Sequence, residues 1–487
     1  MNAPSPIELL LPGGYASNAT VLGTGAPQRL RPRTGGGPSD LVMVAPGRDE
    51  AKRSGWIEEA VSRAAAAVSS GGMIYLMLPP AQRRRALPRL ADAGWTSYSF
   101  FFHHPSFDRT EYLVPGDRMT LGRWLASGEG PASGRRRLAS LALAVPEADR
   151  VATSLLPSVG IAAYRPEAAA PFHWLSRLSG ARVVRGLVRA KWRAGRGGAV
   201  VTGLDRMGRS VAVAKIALGG PDAETRAVRE ADRLEQLGPA ARKAGAQLPS
   251  PLRATLPGGW PVLLLSPLEG RPAERLIASG SLAPEAAIAR LGEWLVRWSE
   301  ATVRPGRLDE GWAERELLAP ATRLAPDLPE ADIYLRWLRT RSAEAAGEPL
   351  PTVAAHGDLT MSNVLLGEGP PGIVDWEAAT ATGVPLRDLL YAAVDATAAR
   401  DGYRDRLAAF LRCFPDRTVT TSHLGRLLDQ LRQVAGLTEA TTTLCIHACW
   451  LQHAADEQTK RTPGESRPFL GIVQRLAERV RSGHGAS

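Results

Sequence analysis

One stretch constrains this chain of 487 residues more than any other: Ala354 to Glu377, AAHGDLTMSNVLLGEGPPGIVDWE. Val364-Leu365-Leu366, the turn-forming GEGPPG and the apolar pair Ile373-Val374 read as a hairpin whose second strand delivers Asp375 at its tip. Asp358 precedes the first strand. Asn363 follows it by five residues, a spacing over which a short loop returns the amide oxygen toward the metal that Asp375 would hold. Transfer of a phosphoryl group from ATP asks for two carboxylates with different duties. One orients the attacking hydroxyl and accepts its proton, and the other holds the magnesium that bridges the phosphates. Asp358 and Asp375 suit these duties.

Such a loop can arise by accident, so the parts upstream of it are the test. Ser210 to Leu218 (SVAVAKIAL) alternates like a strand with Lys215 near its end. Fifteen residues on, Glu230 flanks the helical stripe Ala227, Ala231, Leu234. A buried lysine stays charged only beside a carboxylate, and Glu230 is assigned that place, with Glu224 and Glu235 as rivals. Ala194 to Gly198 (AGRGG) is the candidate for a flexible loop over the phosphates, although it departs from GxGxxG. Pro261 to Gly270 (PVLLLSPLEG) reads as a strand emerging into a hinge. Pro267 has no N–H, so the Ser266 carbonyl and the Leu268 amide are the pair left to read an adenine ring. Ala283 to Thr302 is an amphipathic helix with Ile288, Leu291, Leu295 and Trp298 on one stripe.

HGDxxxxN followed by an apolar strand ending in Asp-Trp resembles the aminoglycoside phosphotransferases and their relatives, including choline and fructosamine kinases, which share the protein kinase-like fold. The resemblance runs from about residue 180 to the end. It implies that Asp358 is the catalytic base, Asn363 and Asp375 the magnesium ligands, and His356 a structural residue holding the loop. Lys215 would grip the α- and β-phosphates with Glu230 as its partner. Gly195, Gly197, Gly198, Ser266 and Leu268 would complete the nucleotide site. Asp388, in VPLRDLLYAAVDA, resembles the aspartate that ties the catalytic loop to a following helix. Gly357 stands where protein kinases carry arginine, which favours a small-molecule kinase. The expectation is an ATP- and magnesium-dependent phosphotransferase acting on a hydroxyl of a small molecule of aminoglycoside, sugar or amino-alcohol type. Its alternative is a pseudokinase scaffold with a basic amino-terminal docking domain. A polycationic acceptor would call for an acidic groove, to which Asp395, Asp401, Asp405, Asp456 and Glu457 could contribute.

The amino-terminal third has a different rhythm. Ser39 to Pro46 and Met73 to Leu78 read as strands, with a helix between them on the stripe Ile57, Ala60, Val61, Ala64, Val68. Ala81 to Ala93 is helix-like, interrupted by Pro88. TSYSFFFHH and RTEYLVP read as a strand pair, so His103 and His104 are strand residues rather than metal ligands. Strand and helix in alternation signal a doubly wound α/β domain. The order loosely resembles the later half of a class I methyltransferase domain, a Rossmann-like fold. Only Gly23-Thr24-Gly25 offers a glycine turn, however, with Pro27 close behind, and Asp40 stands before a strand rather than after one. A degenerate scaffold is expected. The fold class is thus an α/β Rossmann-like domain over residues 1–165, followed by an α+β two-lobed kinase-like domain over 180–487, with lobes at about 180–265 and 270–487.

Charge divides with the domains. Residues 1–200 carry 26 basic and 14 acidic side chains, and the remainder 34 and 35, so the net +11 of the chain sits in its first two-fifths. Seven basic residues between Arg177 and Arg196 read as a solvated face. With only Trp192 interleaved among them, no specific nucleic-acid partner is expected. No window reaches the roughly 18 apolar residues of a membrane span. Three cysteines, Cys413, Cys445 and Cys449, suit a reducing compartment, so a cytoplasmic protein is expected. In CIHAC, helical geometry turns His447 away from its neighbouring cysteines, which argues against zinc.

Overall fold

Apolar alternation places eleven strands in one sheet. The computed structural model describes residues 5–26, 38–107, 109–127, 159–168, 171–193, 196–217, 223–256, 259–415, 423–460 and 466–482. The chain forms two compact units, Met1–Ala231 with Ser250–Pro267, and Asp232–Pro249 with Leu268–Ser487.

In the first unit β1 (Ala19–Leu22), β2 (Ser39–Val44) and β3 (Val68–Met77) run parallel. Helix α1 (Trp56–Ala67) joins β2 to β3 and buries Trp56, Ile57, Ala60, Val61 and Ala64, the stripe its sequence advertises. Helix α2 (Pro80–Asp92) continues through Pro88, where an interruption was expected. Pro88 is on the exposed face, so the carbonyl left without its N–H partner can turn to water. There follow β4 (Ser97–His104), β5 (Tyr112–Pro115), α3 (Arg118–Ser127), β6 (Val159–Tyr164), α4 (His173–Ser179), β7 (Arg185–Arg193), β8 (Arg196–Leu204), β9 (Ser210–Ala217), α5 (Ala223–Lys243), β10 (Pro251–Leu256) and β11 (Trp260–Leu265).

The sheet order is β1-β2-β3-β6-β4-β5-β7-β8-β9-β11-β10. Every pairing beyond β3 is antiparallel. The boundary expected between residues 165 and 180 therefore falls between β6 and β7, two strands of this sheet. What joins the halves is short: Tyr112 pairs with Arg189 and Leu113 with Val188. One apolar core spans the join, containing Met43, Tyr75, Phe101 and Leu113 on one side and Val188, Val201, Ala214 and Leu264 on the other. The opening segment seals it with Ile7, Leu9 and Leu10, and Trp174 of α4 donates its indole N–H to the Leu9 carbonyl at 3.0 Å. Helices α1 and α2 cover a second core with Val42, Val44, Ile74 and Leu76.

The second unit is mostly helical. Its small sheets are β12 (Arg271–Pro272), β14 (Val364–Leu366) and β15 (Gly372–Ile373), and the pair β13 (Val353–Ala355) with β16 (Thr380–Gly383). Helix α6 (Ala273–Ala278) follows β12. Helix α7 (Pro284–Thr302) buries Ile288, Leu291, Trp294, Leu295 and Trp298. Trp294 stacks on Trp298 at 5.7 Å, and Trp298 meets Trp376 edge-on at 6.0 Å, so α7 reaches the hairpin through three indoles. Helix α8 (Arg387–Arg400) is buried along most of its length. In the helix Glu439–Lys460, His447 meets the Tyr334 hydroxyl through Nδ1 at 2.7 Å, and Cys445 and Cys449 are buried free thiols. No helix among the described residues is long and apolar enough to cross a membrane.

Candidate active site

The expected site residues fall in both units. In the first, β9 holds Lys215 between Val200 of β8 and Leu263 of β11. Helix α5 brings Glu230 to it, and Lys215 Nζ donates to both carboxylate oxygens at 2.7 Å. Glu230 is buried, and two charge-assisted bonds offset the loss of its hydration. Glu235 is exposed on the same helix, and the Glu224 side chain lies outside the described residues.

The glycine-rich segment departs from its expected place. The β7–β8 ladder runs to Arg193 opposite Arg196, which puts Gly197 and Gly198 inside β8 rather than in a loop. Gly198 also pairs with Ala217 of β9 and is held extended from both sides, while Gly197 is held by β7 alone. Gly195 lies outside the described residues. Ser266 follows β11, its N–H donating to the Ser250 carbonyl at 3.1 Å and its Oγ accepting from the Ser250 N–H at 2.8 Å.

In the second unit the catalytic-loop candidate is tied at several points. The Asp388 carboxylate accepts from the His356 N–H at 2.7 Å and the Gly357 N–H at 3.0 Å. Gly357 has φ +81°, and a Cβ there would stand 2.6 Å from the Ala378 carbonyl oxygen. His356 donates Nε2–H to the Val374 carbonyl at 3.0 Å and sets its ring edge-on to Trp376 at 5.2 Å. Asn363 donates its side-chain N–H to the Asp358 carbonyl at 2.9 Å, and its own carbonyl accepts from the Val374 N–H at 3.0 Å. Asn363 thus joins the Asp358 segment to the strand that ends at Asp375, a residue in the left-handed region at φ +69°. Leu268 packs on Gly372 of β15, and Gly270 turns the chain at φ +112° beside the Leu366 carbonyl.

A magnesium ion fits this donor set. With the Asn363 amide nitrogen committed to Asp358, the amide oxygen is the hard donor that remains. The Asp375 carboxylate follows the strand that Asn363 bonds. Among the described residues no cluster of three or more His, Cys, Asp or Glu could hold a metal alone. A site completed by substrate phosphates needs none.

Sequence reasoning gave Asp395 the wrong place. It is fully buried, so it cannot line an acidic groove. Its Oδ2 accepts from the Met361 N–H at 2.7 Å and the Tyr403 hydroxyl at 3.2 Å, while Arg406 Nη2 stands 3.1 Å from Oδ1. Burial pushes its carboxyl above the usual range, against the pull of Arg406 and the Met361 amide. Asp388 and Asp395 are seven residues apart, two helical turns, and fasten opposite ends of one loop. That spacing was visible as DLLYAAVD. Three of the other four acidic candidates are also engaged: Asp401 pairs with Arg412 at 2.7 Å, Asp405 caps the helix Arg406–Cys413 at the Ala408 N–H, and Glu457 accepts from the Leu470 N–H at 3.4 Å.

The amino-terminal glycine turn serves packing. A Cβ on Gly23 would lie 2.4 Å from the Ala45 oxygen, and one on Gly25 2.1 Å from the Pro46 oxygen. The Glu50 carboxylate accepts from the Gly47 N–H at 2.7 Å and the Thr24 N–H at 2.8 Å. These two backbone donors hold its carboxyl below the ordinary range, so the chain's own anion fills the turn.

Residues 201–421 match the family model of the phosphotransferase enzyme family, APH. No curated protein sequence matches the chain. Similar solved structures include a choline/ethanolamine kinase family protein from Mesorhizobium loti, at 19% identity over 61% of this chain and 91% of that one, with TM-score 0.36. The GDP complex of aminoglycoside 2'-phosphotransferase-IIIa is similar at 14% identity over 63% and 96%, with TM-score 0.38. Amicoumacin kinase bound to AMP-PNP, Ca2+ and Ami is similar at 14% identity over 61% and 88%, with TM-score 0.37. Likenesses this low add nothing to what the strand order and loop geometry already say.

Proposed function

We propose that this protein transfers the γ-phosphoryl group of ATP to a hydroxyl of a small molecule, with magnesium. The observation that carries the reading is the loop in which Asn363 ties Asp358 to the strand ending at Asp375, beside the family match over residues 201–421. Asp358 orients the acceptor hydroxyl and takes its proton as the new O–P bond forms and ADP leaves. Lys215, held straight by Glu230, neutralises the α- and β-phosphates. Magnesium, held by Asn363 and Asp375, supplies the remaining charge neutralisation. Gly195, Gly197 and Gly198 on the β7–β8 hairpin let backbone approach the phosphates, and the Ser266 carbonyl and Leu268 amide read the adenine. Residues 180–487 are the kinase domain in this reading. Residues 1–165 are a Rossmann-like scaffold, supported by the parallel order β1-β2-β3 with β6 reversed beside it. The acceptor belongs to the aminoglycoside, sugar or amino-alcohol type that such kinases take.

The test is thermal stabilisation by ATP with and without magnesium. A ligand at about 100 times its dissociation constant stabilises by about 2.7 kcal/mol. The magnesium-dependent part should vanish in Asp375→Asn. Asp358→Asn should keep nucleotide binding and lose turnover against a panel of hydroxylated acceptors. ATP stabilisation indifferent to magnesium, or an active Asp358→Asn, would overturn the assignment; binding without turnover in wild type would favour a scaffold.

A further inference from the structure

Met361 lies three residues after Asp358 and two before Asn363, and both of its backbone groups are bonded. Its N–H donates to Asp395 Oδ2 of α8 at 2.7 Å, and its carbonyl accepts from the Glu274 N–H of α6 at 3.0 Å. The turn around it closes on itself, with the Thr360 N–H on the Asp358 carbonyl at 2.8 Å and the Asn363 N–H on the Thr360 carbonyl at 3.0 Å. Met361 is therefore the point at which this turn is fastened to the helices. The tie to α8 depends on a carboxylate that is fully buried, and a buried carboxylate stays charged only beside a cation. Arg406 Nη2, 3.1 Å from Asp395 Oδ1, supplies that cation.

Arg406 opens the helix Arg406–Cys413, where a positive charge works against the helix dipole and Asp405 already caps the end. The helix therefore does not account for it. Its guanidinium carbon stands 4.9 Å from the centre of the Tyr403 ring and 5.0 Å from that of Phe469, and its side chain is only 17% exposed. Two aromatic rings thus hold the cation against Asp395 instead of in water. The Tyr403 hydroxyl donates to Asp395 Oδ2 at 3.2 Å, so the same residue grips both members of the pair.

We propose that Arg406 is a positioning residue for phosphoryl transfer: by balancing the charge of Asp395 it holds the Met361 N–H, and with it the placement of Asp358 and Asn363. The proposal rests on the phosphotransferase reading above. Without the cation the carboxyl takes up a proton or stands as an unbalanced charge, and either weakens a charge-assisted bond. Met361 is then held by its carbonyl alone, while Asp388 still holds residues 356 and 357. A displacement of about 1 Å in such a site costs about 100-fold in rate.

The experiment compares Arg406→Met, and Arg406→Met combined with Asp395→Asn, with wild type, in the full chain at a temperature where all three are folded. Hydrogen exchange resolved to single amides should be about 10-fold faster at Met361 in Arg406→Met. At His356 and Gly357, which Asp388 holds, it should not change. In the same variant, kcat for ADP release from magnesium-ATP with water as acceptor should fall about 10- to 100-fold. Adding Asp395→Asn should recover most of both losses, because an amide oxygen accepts the same N–H and carries no charge to be balanced. A merely structural Arg406 would speed exchange at all three amides together. That outcome, wild-type exchange and kcat in Arg406→Met, or a double variant no better than the single one, overturns the proposal. Wild-type protein that releases no ADP would sink the phosphotransferase reading and the role with it, and exchange at Met361 would register the tie separately.

Discussion

Gly357 is glycine for two reasons that coincide at one position: its φ is +81°, and the space a Cβ would need is occupied by the Ala378 carbonyl oxygen 2.6 Å away. Gly357→Ala should cost about 1–3 kcal/mol and shift Asp358 with it, so denaturant midpoint and turnover should fall together. Lys215 poses the complementary case. Lys215→Met removes two charge-assisted bonds from a carboxylate that is out of water, at a cost of about 2–4 kcal/mol. Weak ATP binding in that variant therefore has to be read against its melting temperature; a variant as stable as wild type would show that the pair contributes nothing to the fold. The pairing of Lys215 with Glu230 and the short loop that brings Asn363 back to Asp358 were legible in the sequence, because each rests on a short local spacing. The tie that Asp395 makes to the Met361 N–H was not. Helix α8 is buried nearly all round, so hydrophobic periodicity gives no sign of which side meets the loop.

Elements with one wet face announced themselves, as the stripes of α1 and α7 do. The β7–β8 glycines did not, because glycine in sequence signals a loop, and only the β7–β8 ladder, with β9 beside Gly198, shows that backbone bonding holds them extended. The opening segment was equally silent. Ile7, Leu9, Leu10 and Leu11 look like a short apolar run, yet they are buried in a core shared with Val201, Ala214, Ile216 and Leu264 of β8, β9 and β11. Burying such side chains stabilises by about 1.5–3 kcal/mol each, so four amount to about 6–12 kcal/mol, as much as a domain's whole stability. Deleting residues 1–15 should thus unfold the first unit although no site residue is touched. A fragment of residues 180–487 alone should aggregate. Circular dichroism and gel filtration decide it: a soluble, cooperatively melting fragment would show that β7 to β11 do not need their amino-terminal cover.

At the scale of the whole molecule, strand identity was readable and strand partnership was not. Periodicity marks β5 and β7 as strands, but the two residue pairs that fuse the halves into one sheet, Tyr112 with Arg189 and Leu113 with Val188, join segments more than seventy positions apart, and no local pattern encodes that choice. The same global burial gives each unit one histidine that must stay neutral. In the first, His103 is enclosed between the Tyr75 hydroxyl at 2.7 Å and the Thr110 hydroxyl at 2.9 Å, and burial lowers its pKa to about 3. In the second, burial and then Arg479 lower His447 to about 3. An unfolded histidine protonates near 6.5, so between that pH and about 3 the unfolded chain binds the extra proton, and stability falls as pH falls. At pH 5 the loss is about 2 kcal/mol for each histidine. The second unit has a counterweight. Asp395 and Glu457 are raised by burial, take up protons in the folded state first, and so add stability on acidification. The first unit should therefore weaken first. Hydrogen exchange, corrected for the intrinsic rate, should show protection of β3 and β4 falling about 30-fold between pH 7 and pH 5, with α7 changing less. Equal protection at the two pH values in β3 and β4 would mean that His103 is free to protonate in place, and that the hydroxyls flanking it yield more readily than their packing implies.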